Sequence, residues 1–344
     1  MKAKSILAVA LILAAAAGCG YYWLQEQFFA PGPAPRALRV DVEPGTSVRA
    51  VLGLLHAHGA LSQPREIELY MRLHRRHLTI KAGTYEIPVA ASAAAIIDLL
   101  EEGRVVLETL TIVEGSTFSQ LRQELASDTD VVTTLAGKSD AEVMAAIDHP
   151  GEYPEGRFFP DTYRFAARTT DVEILKLAYA SMQHVLTEAW AQRADDLPYT
   201  TAYQALTLAS IVEKETGLAS ERARIAGVFV TRMRQDMRLQ SDPTVIYGLG
   251  ARYDGEVHTR DLTTDTPYNT YTRAGLPPTP IALPGREALL AAVRPDVTGD
   301  LYFVATGAGD GAHHFSKTLE EHNAAVKQYL IRLRQAAVEG APSK

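Results

Sequence analysis

Cysteine is nearly missing: Cys19 is the one thiol in 344 residues. No internal disulfide can form and no cysteine-based metal site can be built, so a packed core must hold this fold. A chain without a thiol pair cannot misoxidise on export, so the count fits either redox compartment. Positive charge is in short supply as well. The 34 Lys and Arg against 41 Asp and Glu leave a net charge of -7, with no sustained basic stripe, which excludes the usual footprint of a nucleic-acid binder. Internal repeats are absent, and no low-complexity tract lies beyond the N-terminus. The histidines at 313, 314 and 322 follow no common zinc spacing, and neither a metal nor another cofactor is expected.

What is present is ordinary globular composition, 47% hydrophobic and 22% charged, in a length that suits about two or three domains. The start departs from that average. Lys2 and Lys4 precede an uncharged run at 5–25 whose first part, 6–17, is almost purely aliphatic. Roughly 20 such residues cross a bilayer as a helix. Tyr21, Tyr22 and Trp23 then suit the far interface, and the lysines keep the N-terminus in the cytoplasm. Two rival readings exist. A cleaved signal peptide has a shorter apolar core. Ala16-Ala17-Gly18-Cys19 resembles a lipoprotein box, but with Ala16 where leucine is usual. The expectation is an uncleaved single-pass anchor in the inner membrane, with the rest of the chain in the periplasm.

The proline-containing stretch at 30–35 reads as a stiff spacer off the membrane. Residues 39–42 alternate as a strand, and Ser47 is placed to cap a helix bearing Val48, Val51, Leu52 and Leu55. A helix at 66–76, a strand at 83–87 and a helix at 91–102 follow. This strand–helix–helix–strand unit resembles a LysM-like module and reads equally as a plain α/β spacer. Beyond a strand at 105–112, the Asp-rich residues 128–155 form a connecting stretch with a helix at 141–147. Helices then fall at 172–193, 202–215 and 220–235, the last with Ser220 as its N-cap. After Leu239 the chain turns to loops and short strands, including 301–305, before a final helix at 319–337. The fold class is α+β. Its expected parts are a transmembrane anchor (1–29), a linker (30–37), a LysM-like small α/β domain (38–104), a connecting subdomain (105–170) and a mixed helix-rich domain (171–344).

Chemistry concentrates near the end of the 202–215 helix. Glu213 and Glu215 lie about 200° apart on a helix, so they cannot serve one site as a close pair. Glu215 continues the aliphatic stripe of Leu208, Ile211 and Val212, whereas Glu213 falls with Ala202, Leu206 and Ala209. A carboxylate on an apolar stripe loses hydration, which raises its pKa toward what a general acid needs near neutral pH. Spacing therefore favours Glu215 over Glu213. The bland alternative is a pair of solvated helix-end glutamates, with Gly217 as the stop.

The segment Ala209-Ser210-Ile211-Val212-Glu213-Lys214-Glu215-Thr216 resembles the endolytic murein transglycosylase (MltG, YceG-like) family. So do Leu239-Gln240-Ser241-Asp242-Pro243-Thr244-Val245-Ile246-Tyr247-Gly248, Tyr268-Asn269-Thr270-Tyr271 and Gly275-Leu276-Pro277-Pro278. Glu155-Gly156, the run at 159–163, and His313 with Phe315 match in the same order. The resemblance implies an enzyme without a cofactor that cuts inside glycan strands between N-acetylmuramic acid and N-acetylglucosamine. It leaves 1,6-anhydro ends and acts as a terminator of glycan elongation. Carried over, Glu215 is the catalytic acid and base, with Glu213 as the fallback. Asp242 either supports charge or simply turns the chain before Pro243. Gln240, Tyr268, Asn269, Thr270, Tyr271 and His313 offer the hydrogen bonds and flat rings that sugars take. The expected partners are peptidoglycan strands, the bilayer, and membrane-bound peptidoglycan synthases.

Two other readings stay open. A hydrolytic muramidase would pair Glu215 with a second carboxylate, Asp242 or Asp161, to activate water. A non-catalytic peptidoglycan-binding scaffold would need only the anchor and the LysM-like unit.

Overall fold

The structure, a computed structural model, describes residues 2–76 and 78–339. The chain divides into two compact units, Met1–Glu108 with Arg164–Thr169, and Thr109–Tyr163 with Thr170–Lys344. Both mix helices with two-stranded sheets, so the α+β expectation holds.

The first unit opens with helix α1 (Lys2–Phe29). Among the described residues, its portion Ile6–Phe29 is the one helix long and apolar enough to cross a membrane. Ile6, Leu7, Ile12 and Leu13 are bare of protein contacts, but the last turns are not. Phe28 is buried, its ring stacked on Tyr70 at 4.3 Å, and the Tyr21 hydroxyl meets His74 Nε2 at 3.2 Å. Strands β1 (Leu38–Val42) and β2 (Gly83–Ile87) pair antiparallel, Leu38 opposite Ile87. Period-two alternation turns Val40 and Val42 inward against Tyr85 and Ile87. Helices α2 (Val48–Ala57), α3 (Pro64–Leu73) and α4 (Ala93–Glu102) complete the core with Leu52, Leu55, Ile67, Ile96 and Leu100. Ser47 caps α2 as expected, accepting from the Ala50 N–H at 3.3 Å. The proline stretch does not stand off as a spacer. The Gly32 N–H donates to the Ala90 carbonyl at 3.1 Å and the Ala90 N–H to Ala34 at 3.0 Å. Gly32 permits this approach, because a Cβ there would lie 2.3 Å from the Ala91 oxygen.

Strands β3 (Leu107–Thr111) and β4 (Thr162–Ala166) form a second pair. In the second unit, α5 (Phe118–Ser127), α6 (Asp140–Ala146) and α7 (Asp171–Ala191) all start at capping boxes. Helix α8 (Ala202–Glu215) is the centre: every residue from Ala205 to Val212 is buried, enclosed by α7, α9 (Ala219–Arg234) and α12 (Arg286–Val293). Two short helices, α10 (Asp242–Leu249) and α11 (Thr259–Thr263), occupy a stretch expected to be loops. Ser241 ahead of Asp242-Pro243 is a helix-start signal, since proline fits the first turn. Ser220 does not cap α9, which begins one residue before it after Leu218. Instead the Thr216 hydroxyl accepts from the Leu218 N–H at 3.0 Å. Strands β5 (Tyr302–Ala305) and β6 (His313–Ser316) make an antiparallel hairpin, covered by α13 (Leu319–Glu339).

Two glycines test this packing in opposite senses. In α9, a Cβ on Gly227 would sit 2.0 Å from the Asp296 oxygen, while one on Gly53 in α2 meets nothing within 4 Å. Gly227→Ala should therefore cost about 1–3 kcal/mol through overpacking. Gly53→Ala should stabilise its unit by up to about 1 kcal/mol through helix propensity. Urea unfolding of the two variants reads both, and a Gly227→Ala protein as stable as the parent would contradict the close approach.

Candidate active site

Glu215 is the last residue of α8, and the buried body of that helix carries it into the second unit. It leaves the helix beside Thr216, whose extended backbone (φ -148°, ψ 137°) ends α8 without a left-handed glycine. The side chain forms part of a cavity of about 450 Å³, together with Arg232, Leu239, Gln240, Asp242, Tyr271, Tyr302, Phe303, Leu319, His322 and Asn323. The residue is half-buried, and protein surrounds its carboxyl closely enough that desolvation dominates. Burial raises its pKa to about 7, and the nearby Asp242 charge pushes the same way. The negative end of the α8 dipole adds to both. Ser241 and the Arg232 cation act against the shift and do not cancel it.

Ser241 stands at the N-cap of α10, where serine usually accepts from the helix's first amides. Here it makes no such bond. Its hydroxyl instead donates to Glu215 Oε1 at 2.6 Å. The residues around it are arranged to hold that pose. The Ser241 N–H donates to Thr270 Oγ1 at 3.0 Å, and the Thr244 hydroxyl donates to the Ser241 carbonyl at 2.7 Å. The preceding Gln240 lies at φ +51°, a conformation uncommon for a side chain of its kind, with its N–H on the Thr270 carbonyl at 3.1 Å.

Arg232, buried on α9, does not pair with Glu215. Its Nε donates to the Leu301 carbonyl at 2.7 Å and one terminal nitrogen to the Leu239 carbonyl at 2.8 Å, with the guanidinium 5.2 Å over the Tyr302 ring. It thus ties the α9–α10 connection to the β5 side of the cavity, and burial lowers its pKa. Asp242 is exposed at the rim and accepts from the Tyr271 hydroxyl at 2.5 Å. Tyr302 stacks on His322 at 5.1 Å, and burial lowers the pKa of that histidine.

Of the residues singled out from sequence, the structure brings Glu215, Gln240, Asp242 and Tyr271 to one cavity. The others lie off it. Glu213 points away, accepting from Arg222 at 3.0 Å and from the Gly285 N–H at 2.9 Å; desolvation raises its pKa despite the arginine. Asn269 is buried and donates to the Asp261, Leu262 and Thr264 carbonyls, with its own oxygen on the Tyr271 N–H. Thr270 supports Ser241, and Tyr268 bonds Thr279 at 2.9 Å. His313 is held by Glu221 at 2.7 Å. Asp161 caps its own strand, accepting from the Thr162 N–H and, through its carbonyl, from Ile112. Sequence reasoning passed over Ser241, Arg232, Tyr302, Phe303 and Asn323 as site residues. Only Ser241 carried a signal, being inside the 239–248 motif.

The YceG-like family model matches residues 40–328. The endolytic murein transglycosylase of Bacillus subtilis (strain 168) is 29% identical over 317 residues, covering 85% of each chain. A protein of the same name from Streptococcus pneumoniae serotype 2 (strain D39 / NCTC 7466) is 26% identical over 360 residues, and the match covers 95% of this chain and 64% of that one. Among solved structures, a yceG-like protein from Listeria monocytogenes is 28% identical, with 85% of this chain and 99% of that one covered at a TM-score of 0.49. With the match running from the first strand into the last helix, this chain belongs to the YceG-like family.

Proposed function

We propose that this chain is a membrane-anchored peptidoglycan lytic transglycosylase in which Glu215 is both the acid and the base. The observation that carries this is the Glu215 carboxyl group, raised by burial to about pKa 7, set in a 450 Å³ cavity with aromatic and amide walls. The murein transglycosylases of Bacillus and Streptococcus support the same reaction class.

Glycoside hydrolysis usually takes two carboxyl groups flanking the bond. Lytic cleavage takes one. Protonated Glu215 gives its proton to the glycosidic oxygen while the muramic acid ring gains oxocarbenium character. The carboxylate then takes the proton of the C6 hydroxyl, which attacks C1 and closes a 1,6-anhydro ring, so no water is consumed. Ser241 fixes Oε1 as an acceptor, which leaves Oε2 to carry the proton. Asp242 supplies negative charge beside the developing cation, and the rings of Tyr271 and Tyr302 offer faces for sugars. Asp242 also makes a hydrolytic muramidase the second reading, because it is a second carboxylate on the same cavity.

Residues 38–88, a strand–helix–helix–strand unit, serve in this reading as the LysM-like part between anchor and enzyme. The end of α1 belongs to the first unit's core through Phe28 and Tyr70, which favours a unit held at the bilayer surface. Lys2 and Lys4 set the orientation, with the enzyme in the periplasm acting on nascent strands as a terminator beside membrane-bound synthases. Domain limits follow the sequence apart from the proline stretch, which packs on the first unit: anchor 1–29, LysM-like 38–104, connecting part 105–170, catalytic part 171–344.

Digestion of peptidoglycan, with strand ends read by mass spectrometry, tests the reaction. Anhydro ends should appear with the parent and with Glu213→Gln, and fall by at least about a thousand-fold with Glu215→Gln. Reducing ends would make the protein a muramidase, and loss with Glu213→Gln alone would move the chemistry to the other helix face. A second measurement addresses Ser241. Its hydroxyl stabilises the ionised Glu215, so Ser241→Ala should raise the Glu215 pKa above 7 and carry the alkaline limb of kcat/KM to higher pH. Ser241→Thr should restore the limb. A uniform loss of rate with an unmoved limb would reduce Ser241 to a structural part.

A further inference from the structure

We infer that a second cavity, of about 400 Å³ beside the Glu215 site, is a saccharide subsite that a glycan strand enters by crossing Arg238. This rests on the transglycosylase reading and extends it from one cleaved bond to the strand around it.

The two cavities are lined by neighbouring residues of the same segments. Helix α9 gives Arg232 to the first and Met233 to the second. Met237 borders the second while Leu239 and Gln240 border the first, with Arg238 alone between them. On the facing segment Tyr271 lines the first and Ala274 the second. The sill between them is fixed, since one Arg238 terminal nitrogen donates to the Tyr271 carbonyl at 2.9 Å. Helix α8 runs under both. Gln204 of the second cavity precedes Glu215 by eleven residues, which places it about 16 Å away along the axis and within about 20° of the same side.

The lining suits sugar rather than lipid or metal. Tyr203 presents a ring that the Arg157 guanidinium covers at 4.5 Å, Met233 and Met237 add apolar surface, and Asp236 offers a carboxylate for hydroxyl groups. Asp236 sits just beyond the end of α9 at φ +56°, where its backbone closes the helix by donating to the Met233 carbonyl at 3.2 Å, and the residue is exposed. A second cavity on the far side of Arg238 gives an uninterrupted strand a place to continue, which is what cutting away from strand ends requires.

The test uses the full-length protein in detergent with two substrates, long uncrosslinked glycan strands and a tetrasaccharide. Ala274→Trp fills the second cavity without touching the residues around Glu215. It should lower kcat/KM on long strands about ten-fold and leave the tetrasaccharide unchanged, which also shows that the variant folds. Asp236→Asn, compatible with the left-handed backbone, should lower only the long-strand value. Equal losses on both substrates, or no loss on either, overturn the subsite. The same pair of parent and Ala274→Trp in a Glu215→Gln background gives strand binding without turnover, expected to weaken about ten-fold. That readout still tests the subsite if the parent proves to cleave nothing, a result that would sink the transglycosylase reading instead. Strands stripped of stem peptides should show the same penalty, and its disappearance would assign the cavity to peptide and contradict the inference.

Discussion

Desolvation of the Glu215 carboxyl is the constraint around which the second unit is organised. Helix α8 is buried from Ala205 to Val212, so the carboxyl emerges at the end of a segment that water does not reach. A carboxylate in such a place must be paired, hydrogen-bonded or neutral. Arg232 lies close enough to act on it, but its Nε and one terminal nitrogen donate to backbone carbonyls at 301 and 239. The one strong partner is the Ser241 hydroxyl, which stabilises the anion only in part. The group is left balanced between its two protonation states near neutral pH, which is what the proposed acid-then-base role requires.

The same economy governs the opposite end of α10. Glu155 is buried, accepts from the Phe118 N–H at 2.9 Å and from the Tyr247 hydroxyl at 3.0 Å, and is pushed up to about 7 by burial. Tyr247 belongs to α10, and Ser241 precedes the other end of that short helix with its hydroxyl turned to Glu215. One element thus spans two carboxyl groups that burial raises to about 7, the first hydrogen-bonded within the protein and the second facing a cavity. Asn269 and Thr270 act at one remove. They fix the loop that fixes Ser241, and their polar atoms are hydrogen-bonded inside the protein.

Much of this was legible in the chain. The body of α8 is buried on every side and not by the aliphatic stripe alone, but the two side chains do diverge as helix geometry requires, one to Ser241 and one to Arg222. Ser47 capping and the β1–β2 alternation followed from local rules. What could not be read was tertiary. Nothing local marks Arg232, Tyr302 or Asn323 as neighbours of Glu215, because they come from α9, β5 and α13 and meet only after folding. Motif membership also misled in one respect. It grouped Tyr268, Asn269 and Thr270 with the sugar contacts, whereas their side chains lie off the cavity and bond within the protein. The proline stretch looked like a tether and is instead hydrogen-bonded to the turn at Ala90.

The central claim is that Glu215 is half-protonated near neutral pH, and carbon-13 NMR of protein labelled at glutamate side-chain carboxyls tests it directly. A titration from pH 4 to 9 should show a carboxyl signal with an apparent pKa near 7 that is missing from Glu215→Gln, distinct from the Glu155 signal that a Glu155→Gln protein lacks. If removing Glu215 deletes only a resonance that titrates below about 5, within the ordinary glutamate range, the buried-acid account is wrong.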